Sequence, residues 1–330
     1  MTKWLGTIAA LAVIFAATAA RAQANSPQAY PPRPVTIVVT AAAGGLTDLV
    51  ARGVGQQLAE MWGKPVVIEN KAGAGHNIGA AAVAKALPDG LTLMVSESGT
   101  FVSNPFLYAK GSLPYDAETD FAPVSGLASY TQALITHPSL GVRNVAELIG
   151  RAKKEPGTIS YGTAGIGSEP HMNIELLENM AGITLSPIHY RGAAPALTDL
   201  LGGHIQLMSV SMTLSLAPAR AGRVTMLGVG GRTRLPQASE VPTIAETGLP
   251  GYEAVSWVGL FAPAGTPREI VTKINTDVQR VLADATFRER FLAPQMLDAM
   301  LGSPDAFAAD IKSETRKWEK VIREQNLHID

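Results

Sequence analysis

The chain contains no cysteine among its 330 residues. This absence excludes disulfide bonds, thiol catalysis and the attachment of a lipid to an N-terminal cysteine. Thiols outside the cytoplasm are readily oxidised, so a cysteine-free chain suits an exported protein of the bacterial periplasm.

Charge is scarce and nearly balanced. Only 17% of the residues are charged, and the net charge is −1. Removing the first 24 residues, which include Lys3 and Arg21, leaves 25 basic residues against 28 acidic ones, a net charge of −3. The composition therefore predicts no nucleic-acid partner and no binding to an anionic membrane. Backbone N–H groups can still bind an anion on such a protein.

One long apolar run stands at the N-terminus. Ile8 to Ala20 follows Lys3 and is shorter than the ~20 residues that a membrane-spanning helix needs. Small residues at Ala20, Ala22 and Ala24 fit a cleavage site. We predict that residues 1–24 are a signal peptide cleaved after Ala22 or Ala24, and that the mature protein is periplasmic and not a lipoprotein.

Motifs for catalysis and nucleotide binding are missing or incomplete. The six histidines (76, 137, 171, 189, 204 and 328) show no metal-ligand spacing, and no G-x-S-x-G motif activates a serine. The stretch from Gly73 to Gly79 has Ile78 where G-x-G-x-x-G needs glycine, and the strand that follows it ends without an acidic ribose partner. We predict no metal, cofactor or catalysis. An exported hydrolase or isomerase stays an alternative, which turnover of a substrate would favour.

A strand, a glycine loop and a helix follow one another from Val35 to Trp62. The run of apolar and β-branched residues from Val35 to Thr40 predicts a buried strand. Gly44 and Gly45 leave no side chain over the loop amides, Thr47 is the predicted N-cap, and Asp48 suits the first helical turn. The apolar stripe of the helix comprises Val50, Val54, Leu58 and Met61. This arrangement predicts an anion site at a helix N-terminus, although a plain strand–turn–helix fits the same pattern.

A second loop of this type runs from Ala164 to His171. Gly165 and Gly167 precede Ser168, the predicted N-cap, and His171 falls in the first turn of the following helix. His171 fits either a ligand contact or a capping or packing role. Two glycine loops that face one another would hold a small anion between two lobes.

Two further segments place small polar groups at strand ends. Ser98 and Thr100 follow the strand from Leu91 to Ser96, where they suit a hydrogen-bonding loop or a plain serine-rich turn. Ala193 begins the turn into another helix. Arg191, just before it, could pair with a carboxylate or lie solvated at the surface.

The alternation of strands and helices predicts an α/β fold with parallel sheets and ligands at the carboxyl ends of the strands. About 300 mature residues exceed the usual size of a single core, so we expect two lobes. Export, two lobes and glycine loops at helix N-termini together favour a binding protein that closes on its ligand.

The chain resembles the Bug-type solute-binding proteins of tripartite tricarboxylate transporters. The matching stretches are Tyr30-Pro31 with Pro34, Ala43-Gly44-Gly45 with Asp48, Val66 to Gly75, Asn77-Ile78-Gly79, Pro88-Asp89-Gly90, Asn104-Pro105, Gly165 with Gly167-Ser168 and His171, Pro195-Ala196-Leu197, Val241-Pro242-Thr243 with Glu246, and Gly248 to Tyr252. They run through nearly the whole mature chain in the order that the family shows.

The resemblance implies a two-lobed type II periplasmic-binding-protein fold with a ligand cleft between the lobes and no catalysis. Lobe 1 would hold residues 28–127 and 252–330, and lobe 2 residues 128–251. The ligand would be a small organic anion of the di-, tri- or aromatic carboxylate class. A monomer would deliver it to the membrane permease subunits of a tripartite tricarboxylate-type transporter. The contacts carried over from the family fall on Ala43, Gly45, Thr47, Asp48, Ser98, Thr100, Gly165, Gly167, Ser168, His171 and Ala193.

Two further questions concern the polarity of the ligand and the role of the receptor. The stretch from Ser209 to Thr213 lacks the acidic residue or asparagine that the family often has near the cleft, which hints at a more apolar ligand. A sensor that presents its ligand to a membrane receptor would have the same fold as a transport receptor, so only capture of the partner distinguishes the two roles.

Overall fold

The computed structural model describes residues 30–190 and 192–329. The predicted signal peptide and Arg191 lie outside these residues. The strands are β1 (Val35–Val39), β2 (Val66–Asn70), β3 (Thr92–Glu97), β4 (Phe121–Thr136), β5 (Ser160–Thr163), β6 (Ser186–His189), β7 (Leu207–Ser211), β8 (Thr225–Val229), β9 (Val255–Pro263) and β10 (Asp298–Ala299).

The α-helices are α1 (Leu46–Trp62), α2 (Asn77–Ala84), α3 (Gly99–Val102), α4 (Asn104–Leu107), α5 (Val145–Lys154), α6 (Glu169–Ala181), α7 (Ala193–Leu201), α8 (Met212–Arg220), α9 (Ile244–Thr247), α10 (Arg268–Ala283), α11 (Ala285–Phe287) and α12 (Pro304–Glu324). Short 3₁₀ turns occupy Pro138–Leu140, Pro236–Ala238 and Ala293–Gln295, and Arg288–Leu292 is a π-helix. Across residues 30–190 and 192–329, every helix is too short or too polar to cross a membrane.

The strands form a two-lobed α/β fold around a continuous hydrogen-bonded path, β2-β1-β3-β9-β4-β7-β5-β6. At one end, β1 pairs in parallel with β2 and β3, and at the other end β5 pairs in parallel with β6 and β7. The central strands β4 and β9 are antiparallel to their neighbours. The sheets are therefore mixed, whereas strand–helix alternation alone predicts parallel ones.

Strand β4 connects the two ends of this path. Its first part pairs with β9, as far as Thr131 opposite Val255, and from Gln132 onward it pairs with β7 and β8. The sequence predicts two strands here, Val124 to Ser129 and Gln132 to Thr136, but the structure has a single strand of 16 residues. The partners change at Thr131–Gln132, and the division of the chain between the lobes at residues 127/128 and 251/252 stays a prediction.

The helices that follow the two glycine loops pack into different core clusters. Val50, Val54 and Leu58 of α1 pack with β1 and β3 in one core cluster, while Met61 of the predicted stripe is 42% exposed. Helix α6 places Ile174 and Leu177 in a second cluster, which reaches from Tyr161 of β5 to Met94 of β3. Burial of these apolar faces fixes the two helices against their strands, and with them the loops at the helix N-termini.

Candidate functional site

The first glycine loop leads into α1. Gly45 is the N-cap, with an extended backbone and no side-chain cap bond, and Gly44 has a φ of 82°. The predicted N-cap, Thr47, is instead the second residue of the helix. Its buried hydroxyl donates to the carboxylate of Glu97. The prediction that Thr47 caps the helix is wrong because the helix begins directly after the glycines, which leaves the exposed residues Ala43 and Gly45 at the surface of the loop.

Asp48 holds this loop in shape. Its carboxylate is only 3% exposed and accepts hydrogen bonds from the backbone N–H of Gly44, from Arg52 and from Asn70, each at 2.9 Å. Burial acts to raise the pKa of Asp48, but the bonds from Arg52, Gly44 and Asn70 outweigh it and lower the pKa to about 2. An ionised Asp48 is therefore neutralised by its own neighbours and oriented toward the backbone of its loop.

The second glycine loop has a closely similar arrangement at the start of α6. Ser168 is the N-cap residue, but its hydroxyl makes no cap bond and donates to the carbonyl of Gly165 at 2.7 Å. His171, which is 3% exposed, accepts the backbone N–H of Gly167 at Nδ1, 3.0 Å away. The Nε2 of His171 lies 3.1 Å from a carboxylate oxygen of Glu175. This contact assigns the ring proton to Nε2 and leaves Nδ1 as the acceptor.

Asp48 and His171 thus occupy equivalent positions. Each lies in the first turn of its helix and accepts the N–H of a loop glycine four residues earlier. Both side chains shape their loops in this structure. The N–H groups of Gly45, Gly165 and Ser168 are also bonded within their loops. The donors that remain are the first N–H groups of each helix, which have no partner within the helix, apart from Pro170, which has no N–H.

Ser98 and Thr100 differ in their environment. The hydroxyl of Thr100 is fully buried and lies 2.7 Å from that of Ser96, which in turn lies 2.9 Å from Thr40. Ser98 precedes α3, and its hydroxyl donates toward Glu169 of α6 at 3.4 Å. Thr100 therefore supports β3 from within, whereas Ser98 faces the second loop.

The third predicted loop enters α7. Gly192 is the N-cap, with a φ of 126°, and Ala193 is the half-buried first residue of the helix. The preceding strand is tied to β5 by the side chains of Thr163 and His189, 2.9 Å apart. Burial lowers the pKa of His189.

Sequence reasoning missed a polar cluster around Glu169. Its carboxylate accepts the phenol of Tyr130 at 2.7 and 2.6 Å and the amide of Gln132 at 3.2 Å. Burial, and then the charge of Glu97, raise the pKa of Glu169 to about 8. An acidic residue in the first helical turn is normally explained by the helix dipole, so the sequence carries no separate signal for these contacts.

Two cavities lie near these loops. A small one of about 20 Å³ brings the Ser98 segment and the second loop together and is lined by Ser98, Gly99, Val102, Ser103, Gly167, Glu169, Met172, Asn173, Ser256 and Trp318. A groove of about 590 Å³ runs from Gly44 and Asp48 along α1 to Arg290 and Phe291, and it shares no residue with the small cavity. Among the described residues, no group of three or more His, Asp or Glu side chains is placed to hold a metal ion.

Comparison with known proteins relates the whole of this architecture to one group. A family model described as the tripartite tricarboxylate transporter family receptor matches residues 50–327. BugT of Bordetella pertussis is 34% identical over 329 residues, which cover 100% of this chain and 99% of BugT.

Solved structures agree with the sequence relationship. The structure of R. palustris Rpa4515 with adipate is 36% identical, with a TM-score of 0.80 and coverage of 91% of this chain and 99% of that one. The structure of the periplasmic binding protein BugD is 34% identical, with a TM-score of 0.76 and coverage of 91% and 99%.

Proposed function

Because the chain belongs to the family of tripartite tricarboxylate transporter receptors, we propose that it is an exported solute-binding protein that captures a small organic carboxylate between its two lobes. The proposed ligand classes are di-, tri- and aromatic carboxylates. The solved structure of a 36% identical relative contains adipate, which supports a carboxylate for this chain as well.

The observation that carries this proposal is the pair of glycine loops at the N-termini of α1 and α6. A helix N-terminus combines unpartnered N–H groups with the positive end of the helix dipole, so it stabilises a carboxylate without a basic side chain. We assign direct contacts to Ala43, Gly45, Ser98, Gly165, Gly167, Ser168 and Ala193.

The remaining four predicted residues act indirectly in this proposal. Asp48 and His171 each fix a loop glycine, Thr47 binds Glu97, and Thr100 is buried under the loop. Substituting any of them would change affinity by moving the amides and not by removing a ligand contact.

The wider role follows from the family. After export and cleavage of the signal peptide, a periplasmic monomer would close on its ligand and deliver it to the permease subunits of a tripartite tricarboxylate-type transporter, without catalysis or a cofactor. A sensor role would use the same cleft. Co-purification of the loaded protein with permease subunits, but not with a sensor, is the result expected for transport.

The test is a thermal-shift screen of the mature protein, refolded to remove any ligand carried through purification. The compounds are mono-, di- and tricarboxylates, aromatic acids, amino acids and neutral sugars. A ligand at ~100 times its dissociation constant stabilises the folded state by about 2.7 kcal/mol, which gives a clear rise in melting temperature. We expect such a rise with one class of carboxylate. A rise only with neutral or cationic compounds would contradict the assignment of the glycine loops to a carboxylate.

A further inference from the structure

Glu169 projects from α6 toward groups on the other side of the cleft. Its carboxylate is bound by Tyr130 and Gln132, on either side of the point where β4 changes partners, and faces Ser98 at the end of β3. These three donors come from parts of the chain 37 to 71 residues away and hold the carboxylate in one orientation. Glu169 is therefore a fixed acidic group within the cleft.

A second acid, Glu97, lies at the end of β3, directly before Ser98. It is bound by the hydroxyl of Thr47 and lies 3.7 Å from Nε2 of His76. Burial raises the pKa of Glu169, and the negative charge of Glu97 raises it further, to about 8. Glu97, and Glu169 once it is ionised, would repel a further carboxylate placed beside them, and like-charge juxtaposition is a strong source of discrimination in binding.

The small cavity of about 20 Å³ lies against Glu169. Its polar lining residues include Ser98, Ser256 and Asn173, whose side chains carry oxygen atoms that can accept hydrogen bonds. A space of this size holds about one water molecule, and a primary ammonium group is of similar size and carries three hydrogen-bond donors. The volume and the oxygen-bearing lining residues both fit an ammonium group.

We propose that Glu169 determines the specificity of the cleft, which takes a zwitterionic amino acid whose carboxylate is held by the glycine loops and whose ammonium group faces Glu169. This inference rests on the proposed receptor function and narrows its ligand class. It also distinguishes this chain from its relative that binds adipate, a ligand with a carboxylate at each end.

The experiment compares ligands that differ in one terminal group. Isothermal titration of the ligand-free mature protein is carried out with 4-aminobutanoate against succinate, with 6-aminohexanoate against adipate, and with α-amino acids against the corresponding dicarboxylates. We expect the tightest ligand to be an amino acid, bound at least about tenfold more tightly than its dicarboxylate counterpart. Tighter binding of the dicarboxylates by the wild-type protein would overturn the inference and leave the receptor function intact.

Variants test whether Glu169 is the cause of this preference. Glu169→Gln keeps the size and hydrogen-bonding capacity of the side chain but removes its charge. The variant should bind the amino acid about tenfold or more weakly than the wild type does, and should bind the dicarboxylate with unchanged or higher affinity. Glu97→Gln should also lower the affinity for the amino acid relative to that for the dicarboxylate. Glu178→Gln is the matched control, because Glu178 lies on the same helix but accepts the backbone N–H of Leu185. An unchanged preference in both Glu169→Gln and Glu97→Gln would overturn the inference.

The pH dependence gives a second readout. The titratable groups that face Glu169 are Glu97 of β3 and Tyr130 of β4, with His76 next to Glu97. Binding an ammonium group requires an ionised Glu169, so the affinity for the amino acid should rise between pH 6 and pH 8, while the ligand amine stays charged. A flat profile in the wild type would contradict the inference. If no carboxylate binds but hexylamine does, the receptor function as proposed fails and the role of Glu169 stands; if nothing binds, both fail.

Discussion

Replacing Asp48 with asparagine should destabilise the first glycine loop by an amount that can be worked out from its contacts. The ordinary pKa of an aspartate is about 3.9 and that of Asp48 is about 2, a difference worth about 2.6 kcal/mol at neutral pH. The side chain of Arg52 is 52% exposed, so solvent screens part of that interaction. We therefore expect Asp48→Asn to lower the free energy of unfolding by about 2 kcal/mol at pH 7.

The assay is urea unfolding of the wild type and the variant between pH 7 and pH 2.5. The folded-state pKa of Asp48 is depressed, so its contribution is fully present above about pH 4 and is lost as the pH falls toward 2. The difference between the two proteins should therefore be constant from pH 7 to about pH 5 and should shrink below about pH 4.

An exposed ion pair offers the matched control. Asp305 and Arg268 are 2.6 Å apart, but their side chains are 73% and 80% exposed, so Asp305→Asn should cost less than about 1 kcal/mol. An Asp48→Asn variant as stable as the Asp305→Asn variant, or a loss that persists unchanged at pH 2.5, would refute the assignment of Asp48 as the residue that shapes the loop.

Two further predictions concern α6. Ser168→Ala removes the bond to the carbonyl of Gly165 and should cost about 1 kcal/mol of stability in urea unfolding; a loss of affinity much larger than the loss of stability would mark Ser168 as a ligand contact. Burial raises the pKa of Glu178 to about 7, so the folded state binds its proton more tightly than the unfolded state does, and stability should fall as the pH rises from about 4.5 to 7. Glu178→Gln should make the melting temperature less sensitive to pH over this window, and an unchanged pH profile would contradict that account.

The sequence predicts well whatever depends on local periodicity. The spacing of Val50, Val54 and Leu58 indicates one buried face of α1, and all three are buried in the structure. Met61 belongs to the same pattern but is 42% exposed, because it lies one residue from the end of the helix. The glycines that make the loops are also visible as a pattern, since a glycine leaves the backbone free to turn.

Contacts between distant residues were not predictable in this way. Nothing near Glu169 in the sequence indicates that Tyr130, 39 residues earlier, donates to it. The pairing of Thr47 with Glu97, 50 residues apart, likewise turns an expected cap into a contact between the helix and β3. The position of β4 between two sets of partners depends on the whole sheet, so its strand pattern alone suggested an interruption that does not exist.

The local pairs that orient the loops could have been found from the sequence. Asp48 and Arg52 are four residues apart on one helix, as are His171 and Glu175 on another. Side chains with this spacing meet on one helical face. Such a pair in the first turn of a helix, directly after a glycine loop, indicates that the first residue of the pair bonds to the backbone of its own loop. That residue then positions the loop and does not contact the ligand.

The central claim, that the amides at the two helix N-termini bind a carboxylate, is tested most directly by isothermal titration of Gly45→Val with the best carboxylate from the screen. Gly45 has a φ of −77°, which any residue adopts. An added Cβ would lie 3.3 Å from the carbonyl oxygen of Ala42, a tight contact that a small shift of the exposed loop relieves, so the fold should survive while the side chain covers the amides. Gly150→Val is the control, because Gly150 is exposed on α5 with no atom within 4 Å of an added Cβ. We predict that Gly150→Val binds the carboxylate with wild-type affinity. Gly45→Val should lose about tenfold or more in affinity for each amide that its side chain blocks. A folded Gly45→Val that binds as tightly as the wild type would contradict the account.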